Sequence, residues 1–108
     1  MSQPSRRVLR HVVLFAFKAT VTPTELRAVE QAFVALPPQI AEIKGFEWGT
    51  DVSVEHLADG HTHCFVVTFE SLADRDTYLV HPVHQGFVAG IQPHVAKALV
   101  IDYWADRN

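Results

Sequence analysis

The sequence predicts one α+β domain with strands and helices in the order β-α-β-β-α-β. The first observation is the length of 108 residues, which suits a single domain. The second is that 48% of the residues are hydrophobic, a composition that favours a packed core and excludes a disordered chain. The third is the pattern itself, because apolar residues alternate in four segments and recur at helical spacing between them.

The first predicted strand runs from Leu9 to Phe17. Position parity places His11, Val13 and Phe15 on one face and their neighbours on the other. Both sets of side chains are largely apolar, which indicates a strand that is covered on both faces.

A helix is predicted to follow this strand. Thr22 is a suitable N-cap, Pro23 takes the first helical position, and Glu25 can complete a capping box. The prolines at 37 and 38 end the helix. Its apolar stripe has helical spacing and comprises Leu26, Val29, Phe33 and Leu36.

Two strands are predicted in the middle of the chain. The segment from Phe46 to Val52 alternates, with Phe46, Trp48 and Val52 on one face. A polar connection at 55–60 leads to the next strand at 61–70. One face of that strand carries His61, His63, Phe65, Val67 and Phe69.

The second helical segment begins after Ser71, an N-cap with Asp74 as its acidic partner three residues later. We expect this helix to reach about Val80. The dipeptide His81-Pro82 breaks it, because proline cannot continue a helix but can begin a new one. The new helix is predicted to extend through Val95.

The last strand is predicted at 98–104, and residues 1–8 and 105–108 are predicted to be flexible ends of a domain at 9–104. The complete order is that of the ferredoxin-like fold, a four-stranded antiparallel sheet with helices on one face. The other face also carries apolar residues, and no segment remains to cover it. A second copy, sheet against sheet, would cover it in a homodimer.

Charge and cysteine content exclude several classes of function. Nine Lys and Arg against twelve Asp and Glu give a formal net charge of -3, which does not suit a nucleic-acid-binding protein. Arg6, Arg7 and Arg10 are expected to form a solvated basic tip. No apolar run could span a membrane, and the polar start is not a signal peptide. The single cysteine, Cys64, is expected to be an unreactive thiol, and it fits a cytoplasmic location best.

Seven histidines stand out in a chain of this length. His11 and His63 occupy adjacent central strands of the predicted sheet, on faces rich in large apolar side chains, and could face one pocket. The corner at His81-Pro82 can direct Tyr78 and His84 toward the sheet. Buried polar groups must pair with something, so a meeting of these groups on an apolar face predicts a functional site.

Two kinds of chemistry could use these groups. A neutral imidazole can remove a proton beside a carbonyl group while a phenol donates a hydrogen bond to the enolate oxygen. Alternatively, three histidines could bind a transition metal. The metal interpretation is the weaker one, because proline interrupts the spacing of His81 and His84 and no acidic residue lies at a ligand-like distance. We expect no metal and no cofactor, and surface positions for His56, His61 and His94.

Several segments resemble the stress-responsive A/B barrel family, whose members are also called Dabb domains. The resemblance rests on Arg10–Lys18, Gly60–His63, Val67–Ser71, Tyr78–His84 and Asp102–Tyr103. It covers residues 9–104, and the block Tyr-x-x-His-Pro-x-His is its most specific part.

The resemblance implies a dimeric α+β barrel, in agreement with the uncovered sheet face. It also implies a site, because the family includes polyketide cyclases that close a linear thioester by aldol condensation without a cofactor. Tyr78 and His84 match the catalytic pair of those enzymes. Other residues match their pocket or belong to the same block, and these are expected to bind the substrate: His11, His63, Phe33, Trp48, Phe87 and His81.

Three functions stay open on this basis. The first is a cofactor-independent, cyclase-like or lyase-like enzyme for a carbonyl substrate, with His84 as base and Tyr78 as hydroxyl donor. The second is a non-catalytic, stress-responsive dimer that binds a small apolar molecule in the same cavity. The third is a cofactor-free monooxygenase, because other dimeric α+β barrels oxidise aromatic substrates. Val29 and Glu30 replace aromatic residues of the cyclases, so a different substrate is expected.

Overall fold

A computed structural model describes residues 7–106, which form one sheet with three α-helices on one face. The strands are β1 (Arg7–Phe17), β2 (Gly45–Thr50), β3 (His63–Phe69) and β4 (Val95–Asp106). The helices are α1 (Pro23–Val34), α2 (Leu72–Val80) and α3 (Pro82–Ile91), with short 3-10 turns at Pro37–Gln39 and Gln92–His94. Of the ends predicted to be flexible, at 1–8 and 105–108, residues 1–6 and 107–108 lie outside the described residues.

The sheet is antiparallel throughout, with the strand order β2-β3-β1-β4. This arrangement confirms the predicted ferredoxin-like α+β fold, with β1 and β3 as central neighbours. The register places His11 opposite Asp102 of β4 and opposite Val67 of β3. Four residues further along β1, Phe15 lies opposite His63. The register therefore determines which histidines can meet.

The core lies between the sheet and the helices. Alternate residues of β1 and β3 are buried there against α1 and α2, as strand geometry requires. Phe33 of α1 is the central aromatic residue, and its ring stacks on Phe65 with 4.2 Å between centroids. The buried apolar set also includes Leu9, Val13, Phe15, Val29, Val67, Phe69 and Tyr78.

The helix starts form as the sequence predicts. The Thr22 hydroxyl accepts a hydrogen bond from the Glu25 amide (3.1 Å), and the Glu25 carboxylate accepts one from the Thr22 amide (2.9 Å). This is the predicted capping box. The Ser71 hydroxyl caps α2 in the same way by accepting from the Asp74 amide (3.0 Å).

The ends of the sheet differ from the sequence prediction. Strand β1 begins at Arg7 rather than Leu9, and β4 runs from Val95 to Asp106 rather than from 98 to 104. Backbone pairs such as Arg7 with Asp106 extend the ladder, and such pairs do not require apolar side chains. The third helix ends at Ile91 instead of Val95, because Pro93 cannot continue an α-helix.

The connection between β2 and β3 is longer than predicted. Strand β2 ends at Thr50, so Val52 does not share a face with Trp48 and is instead 89% exposed. The Asp51 carboxylate accepts a hydrogen bond from the Ser53 amide (3.0 Å), a local turn that leaves the extended conformation. Strand β3 accordingly begins at His63 rather than His61.

The sheet face opposite the helices is open in the single chain, as the sequence predicts. Leu99, Ile101 and Tyr103 of β4 are each between 46% and 53% exposed on this face. Val12 and Leu14 of β1 lie beside them and are half-buried. An apolar face of this kind marks an interaction surface.

Replacement of Phe33 by alanine tests the assignment of the core. We expect the free energy of unfolding to fall by about 3–5 kcal/mol, because the variant loses a stacked ring and leaves a cavity. The neighbouring Val34 is 44% exposed, so Val34→Ala should change stability by about 0.5 kcal/mol or less. Urea unfolding at one fixed protein concentration measures both, and equal losses would contradict the assignment.

Candidate functional site

A cavity of about 440 Å³ lies between the α2–α3 corner and the β1–β4 half of the sheet. Most of its walls are apolar: Val13, Phe15, Phe33, Phe87, Val88 and Ile91. Five polar side chains also line it: His11, Tyr78, His84, Gln92 and Asp102. A concave apolar site with a few convergent polar groups is typical of small-molecule binding.

The corner between α2 and α3 brings Tyr78 and His84 together. His81 leaves the helical conformation with φ -64° and ψ 134°, and Pro82 begins α3 immediately afterwards. The His81 Nδ1 atom accepts a hydrogen bond from the Val83 amide (3.1 Å) and so caps the new helix. The chain turns back, and the rings of Tyr78 and His84 come within 4.2 Å of each other, centroid to centroid.

The orientation of His84 leaves one of its nitrogen atoms available. Its Nδ1–H donates to the carbonyl oxygen of Leu79 (3.1 Å), which can only accept. In the neutral ring Nε2 is therefore the unprotonated nitrogen. Burial lowers the pKa of His84 from its usual 6.5, and this outweighs the opposing hydrogen bond to Leu79. His84 is thus a neutral base at physiological pH.

The Tyr78 hydroxyl is buried without a partner. The residue is 0% exposed, and its oxygen makes no hydrogen bond to any residue of the described range 7–106. Burial raises the pKa of Tyr78 far above its ordinary value, so the phenol keeps its proton. An unsatisfied buried hydroxyl costs about 1–3 kcal/mol, so an unpartnered phenol in the cavity wall is a candidate donor to a ligand.

His11 belongs to a chain of three polar side chains. Its Nδ1–H donates to one oxygen of the Asp102 carboxylate (2.7 Å), and the Arg75 guanidinium donates to the other oxygen (2.9 Å). The His11 ring meets the Tyr78 ring edge-on at 5.7 Å. Asp102 accepts both hydrogen bonds, so the remaining nitrogen of His11, Nε2, is the one left for a ligand.

His63 lies apart from this cavity. It is four residues along the ladder from His11, about 13 Å at the usual rise of a strand. Its Nε2–H donates to the Glu30 carboxylate of α1 (2.7 Å), and its Nδ1 is 2.8 Å from the Thr62 hydroxyl. The Trp48 ring stacks on it, with 6.0 Å between centroids and 9° between planes. Both nitrogens of His63 are therefore engaged by the protein.

The other residues that the sequence singled out divide into two groups. Phe33 and Phe87 line the cavity, with 4.7 Å between their ring centroids. Trp48 and His81 do not line it, since Trp48 packs on His63 and His81 caps α3. Among the residues expected at the surface, His56 is exposed, whereas His61 and His94 are half-buried.

Sequence reasoning missed Asp102 and Arg75 as parts of the site. Asp102 stands in a segment of the family resemblance, and the pairing of β1 with β4 places it opposite His11. No local pattern marks Arg75, which reaches Asp102 only after α2 has packed on the sheet. Glu30, the partner of His63, was noticed in the sequence only because it replaces an aromatic residue of the cyclases.

The described residues contain neither a reactive cysteine nor a set of metal ligands. Burial raises the pKa of the Cys64 thiol, which makes it a poor nucleophile at neutral pH. Residues 7–106 contain no group of three His, Cys, Asp or Glu side chains placed to hold a metal ion. No helix in that range is long and apolar enough to cross a membrane.

Comparison with known families matches residues 9–105 to the family described as Stress responsive A/B Barrel Domain. A stress-response A/B barrel domain-containing protein of Arabidopsis thaliana, HS1, is 39% identical over 95 residues, which are 88% of this chain and 87% of that protein. Olivetolic acid cyclase of Cannabis sativa is 32% identical over 95 residues, which are 88% of this chain and 94% of the cyclase.

Two solved structures share the fold of this chain. The hydroxynitrile lyase of Passiflora edulis superimposes with a TM-score of 0.87 and 28% identity, over 95% of this chain and 97% of the lyase. A ferredoxin-like protein of Thermobifida fusca, described as dimeric, superimposes with a TM-score of 0.77 and 27% identity, over 90% of each chain.

Burial of His84 is expected to make the protein less stable in mild acid. Because burial lowers the pKa of folded His84, the unfolded chain binds a proton first as the pH falls. Neutral His84 contributes its full stability above pH 6.5, the pKa of the histidine in the unfolded chain. This contribution is lost as the pH falls from 6.5 toward the lower pKa of the folded protein.

Urea unfolding at pH 7.5 and pH 5.5 measures this effect. The parent should lose more stability between the two pH values than His84→Gln, which cannot titrate. His56→Asn, a change at an exposed histidine, should behave like the parent. Equal losses in the parent and His84→Gln would show that His84 is not buried as a neutral ring.

Proposed function

The chain belongs to the stress-responsive A/B barrel (Dabb) family, and on that premise we propose that it is a cofactor-independent, cyclase-like or lyase-like enzyme for a carbonyl substrate. His84 is the general base and Tyr78 the hydroxyl donor. One observation carries the proposal: a neutral histidine with a free nitrogen and an unpartnered phenol share one apolar cavity, with 4.2 Å between their rings.

The proposed reaction begins with the substrate carbonyl oxygen accepting a hydrogen bond from the Tyr78 hydroxyl. Nε2 of His84 then takes a proton from the adjacent carbon, and the C–H electron pair becomes the enolate. The enolate carbon attacks a second carbonyl carbon of the same molecule and forms a C–C bond. The new alkoxide recovers the proton from His84, so the step needs no oxidant, reductant or metal to balance.

The apolar walls strengthen both roles. A hydrogen bond from Tyr78 to a developing oxyanion is worth more in a water-poor cavity than in water, because little competes with it. The low pKa of His84 keeps the ring unprotonated at neutral pH and ready to accept a proton. His11 adds an acceptor nitrogen beside Tyr78 for a hydroxyl or enol group of the substrate.

The shape and lining of the cavity indicate the kind of substrate. The polar groups cluster around Tyr78, while Phe33 and Phe87 supply the aromatic part of the wall. A cavity of about 440 Å³ fits one small molecule with an apolar portion and a carbonyl-bearing portion. The names of two relatives, a cyclase and a hydroxynitrile lyase, support carbonyl chemistry in this cavity.

A second candidate function uses the same cavity without catalysis. Its walls are mostly apolar, and the family is described by a stress response rather than by a reaction. In that case the protein binds a small apolar molecule, and Tyr78 and His84 only hydrogen-bond to it. The activity of variants separates the two functions.

We also propose that the protein is a homodimer in the cytoplasm. A second copy would cover Leu99, Ile101 and Tyr103, whose exposure makes an isolated chain prone to association. The Thermobifida fusca structure described as dimeric supports this assembly. The lone thiol of Cys64 is compatible with a reducing compartment.

Replacement of the catalytic pair tests the proposed reaction. His84→Ala should lower kcat/KM on a β-polyketo thioester by about 10²–10⁴-fold, the usual contribution of a general base. Tyr78→Phe should lower it less, by about 10- to 100-fold, because it removes one hydrogen bond and keeps the ring. His56→Asn is the control and should match the parent.

Each variant must first show the circular dichroism spectrum of the parent, since Tyr78 and His84 also pack in the corner. Turnover by both folded variants at the parental rate would show that the pair is structural. The binding function would then replace the enzymatic one.

Sedimentation tests the dimer. At micromolar concentration the parent should sediment at about twice its 12.1 kDa, with about 2,000 Å² or more buried between copies. Ile101→Asp should shift it toward monomer, because the charge would be buried against the partner. Val80, which is 67% exposed on α2, provides the control, and Val80→Asp should leave the dimer intact. A monomeric parent would contradict the assembly.

A further inference from the structure

The Asp102 carboxylate joins two elements of the fold to the wall of the cavity. It lies on β4 opposite His11 of β1, and each of its oxygens has a different partner. One oxygen accepts from His11 Nδ1 at 2.7 Å and the other accepts from Arg75 at 2.9 Å. Arg75 is on α2 and does not line the cavity.

We propose that Arg75 is a positioning residue: through Asp102 it fixes the orientation of the His11 ring, with Nδ1–H against the carboxylate and Nε2 presented to the cavity. Arg75 touches no ligand in this arrangement. Its effect on catalysis rests on the proposed function of Tyr78 and His84, whereas its effect on the state of His11 does not.

Arg75 restricts the motion of the Asp102 carboxylate. A carboxylate with one partner can rotate and offer either oxygen, or accept from His11 at changing angles. Arg75 occupies the second oxygen, so the carboxylate plane is fixed and the first oxygen faces His11. The side chain of His11 is almost wholly buried, whereas those of Arg75 and Asp102 are half-buried.

Hydrogen-bonding capacity selects the nitrogen of His11 that faces Asp102. Arg75 can only donate, so its bond leaves the Asp102 carboxylate as an acceptor on both oxygens. The oxygen 2.7 Å from Nδ1 of His11 therefore requires a hydrogen on that nitrogen. In the neutral tautomer that carries this hydrogen, Nε2 is the acceptor nitrogen.

The remaining neighbours of His11 do not hold its ring in this orientation. From β3 it faces Val67, whose side chain makes no hydrogen bond. From α2 it meets the Tyr78 ring edge-on at 5.7 Å. From α3 it faces His84, whose Nδ1–H already donates to Leu79. The contact with Asp102, held by Arg75, therefore orients His11.

Arg75 has a second contact that supplies a matched control. Its Nε–H donates to the Asp76 carboxylate at 2.9 Å, and the Asp76 side chain is largely exposed. Asp76→Asn changes a charged partner of Arg75 without touching Asp102. A general loss of charge around Arg75 can thus be separated from loss of the contact to Asp102.

The test is ¹⁵N NMR of the histidine rings, which distinguishes the two neutral tautomers and the doubly protonated ring. In the ligand-free parent at pH 8, where a free imidazole is neutral, His11 should show the Nδ1–H tautomer, with Nε2 giving the signal of an unprotonated nitrogen. In Arg75→Gln the fraction of the other neutral tautomer, Nε2–H, should rise by about 3- to 10-fold, because the Asp102 oxygen is no longer held against Nδ1. Arg75→Lys restores the charge without the planar fork and should give an intermediate value.

Asp76→Asn should leave the His11 signals as in the parent. An unchanged His11 state in folded Arg75→Gln, or an equal change in Asp76→Asn, would overturn the proposal. If the parent has no enzymatic activity but Arg75→Gln still shows the predicted change at His11, the proposed function is wrong and the positioning role of Arg75 is kept. If Arg75→Gln does not fold, Arg75→Lys decides the question, because a parental His11 spectrum in that variant would contradict a need for the fork.

Discussion

The break between α2 and α3 is the constraint on which the site depends. Pro82 has no amide hydrogen and cannot continue α2, so His81 becomes extended and caps the next helix. In an unbroken helix, side chains six residues apart would point about 120° away from each other around the axis. The corner instead brings the rings of Tyr78 and His84 to 4.2 Å. One proline thus creates the pair that both proposed functions require.

Burial shifts the pKa values of the two side chains in opposite directions. The same apolar surroundings lower the pKa of His84 and raise that of Tyr78, because each charged form loses its hydration. The histidine is left as an unprotonated acceptor and the tyrosine as a protonated donor. The Tyr78 hydroxyl, a buried donor without a protein partner, destabilises the ligand-free protein. Titratable groups whose pKa values are shifted by burial are typical of functional sites.

Most of the architecture could be predicted from local pattern. The Thr22 capping box and the break at Pro82 are short-range signals, and both formed where the sequence indicates them. Strand alternation located the four strands but not their ends, as Val52 beyond β2 shows. The Tyr78 and His84 pair followed from a resemblance covering most of the chain. The separation of His63 from His11 could not be predicted, because it depends on the register between strands distant in sequence. Arg75 was invisible for the same reason, since its contact with Asp102 exists only after α2 packs on the sheet.

The proposed function depends on one proton transfer: Nε2 of His84 takes a proton from the carbon beside a carbonyl group while Tyr78 donates a hydrogen bond to the carbonyl oxygen. Exchange of the α-hydrogens of a bound, otherwise unreactive ketone with deuterium from D₂O measures this transfer directly, because each exchange passes through a short-lived enolate. At neutral pH the parent should catalyse the exchange, and His84→Ala should not. Saturable binding of the ketone to the parent without catalysed exchange would contradict the proposed role of His84.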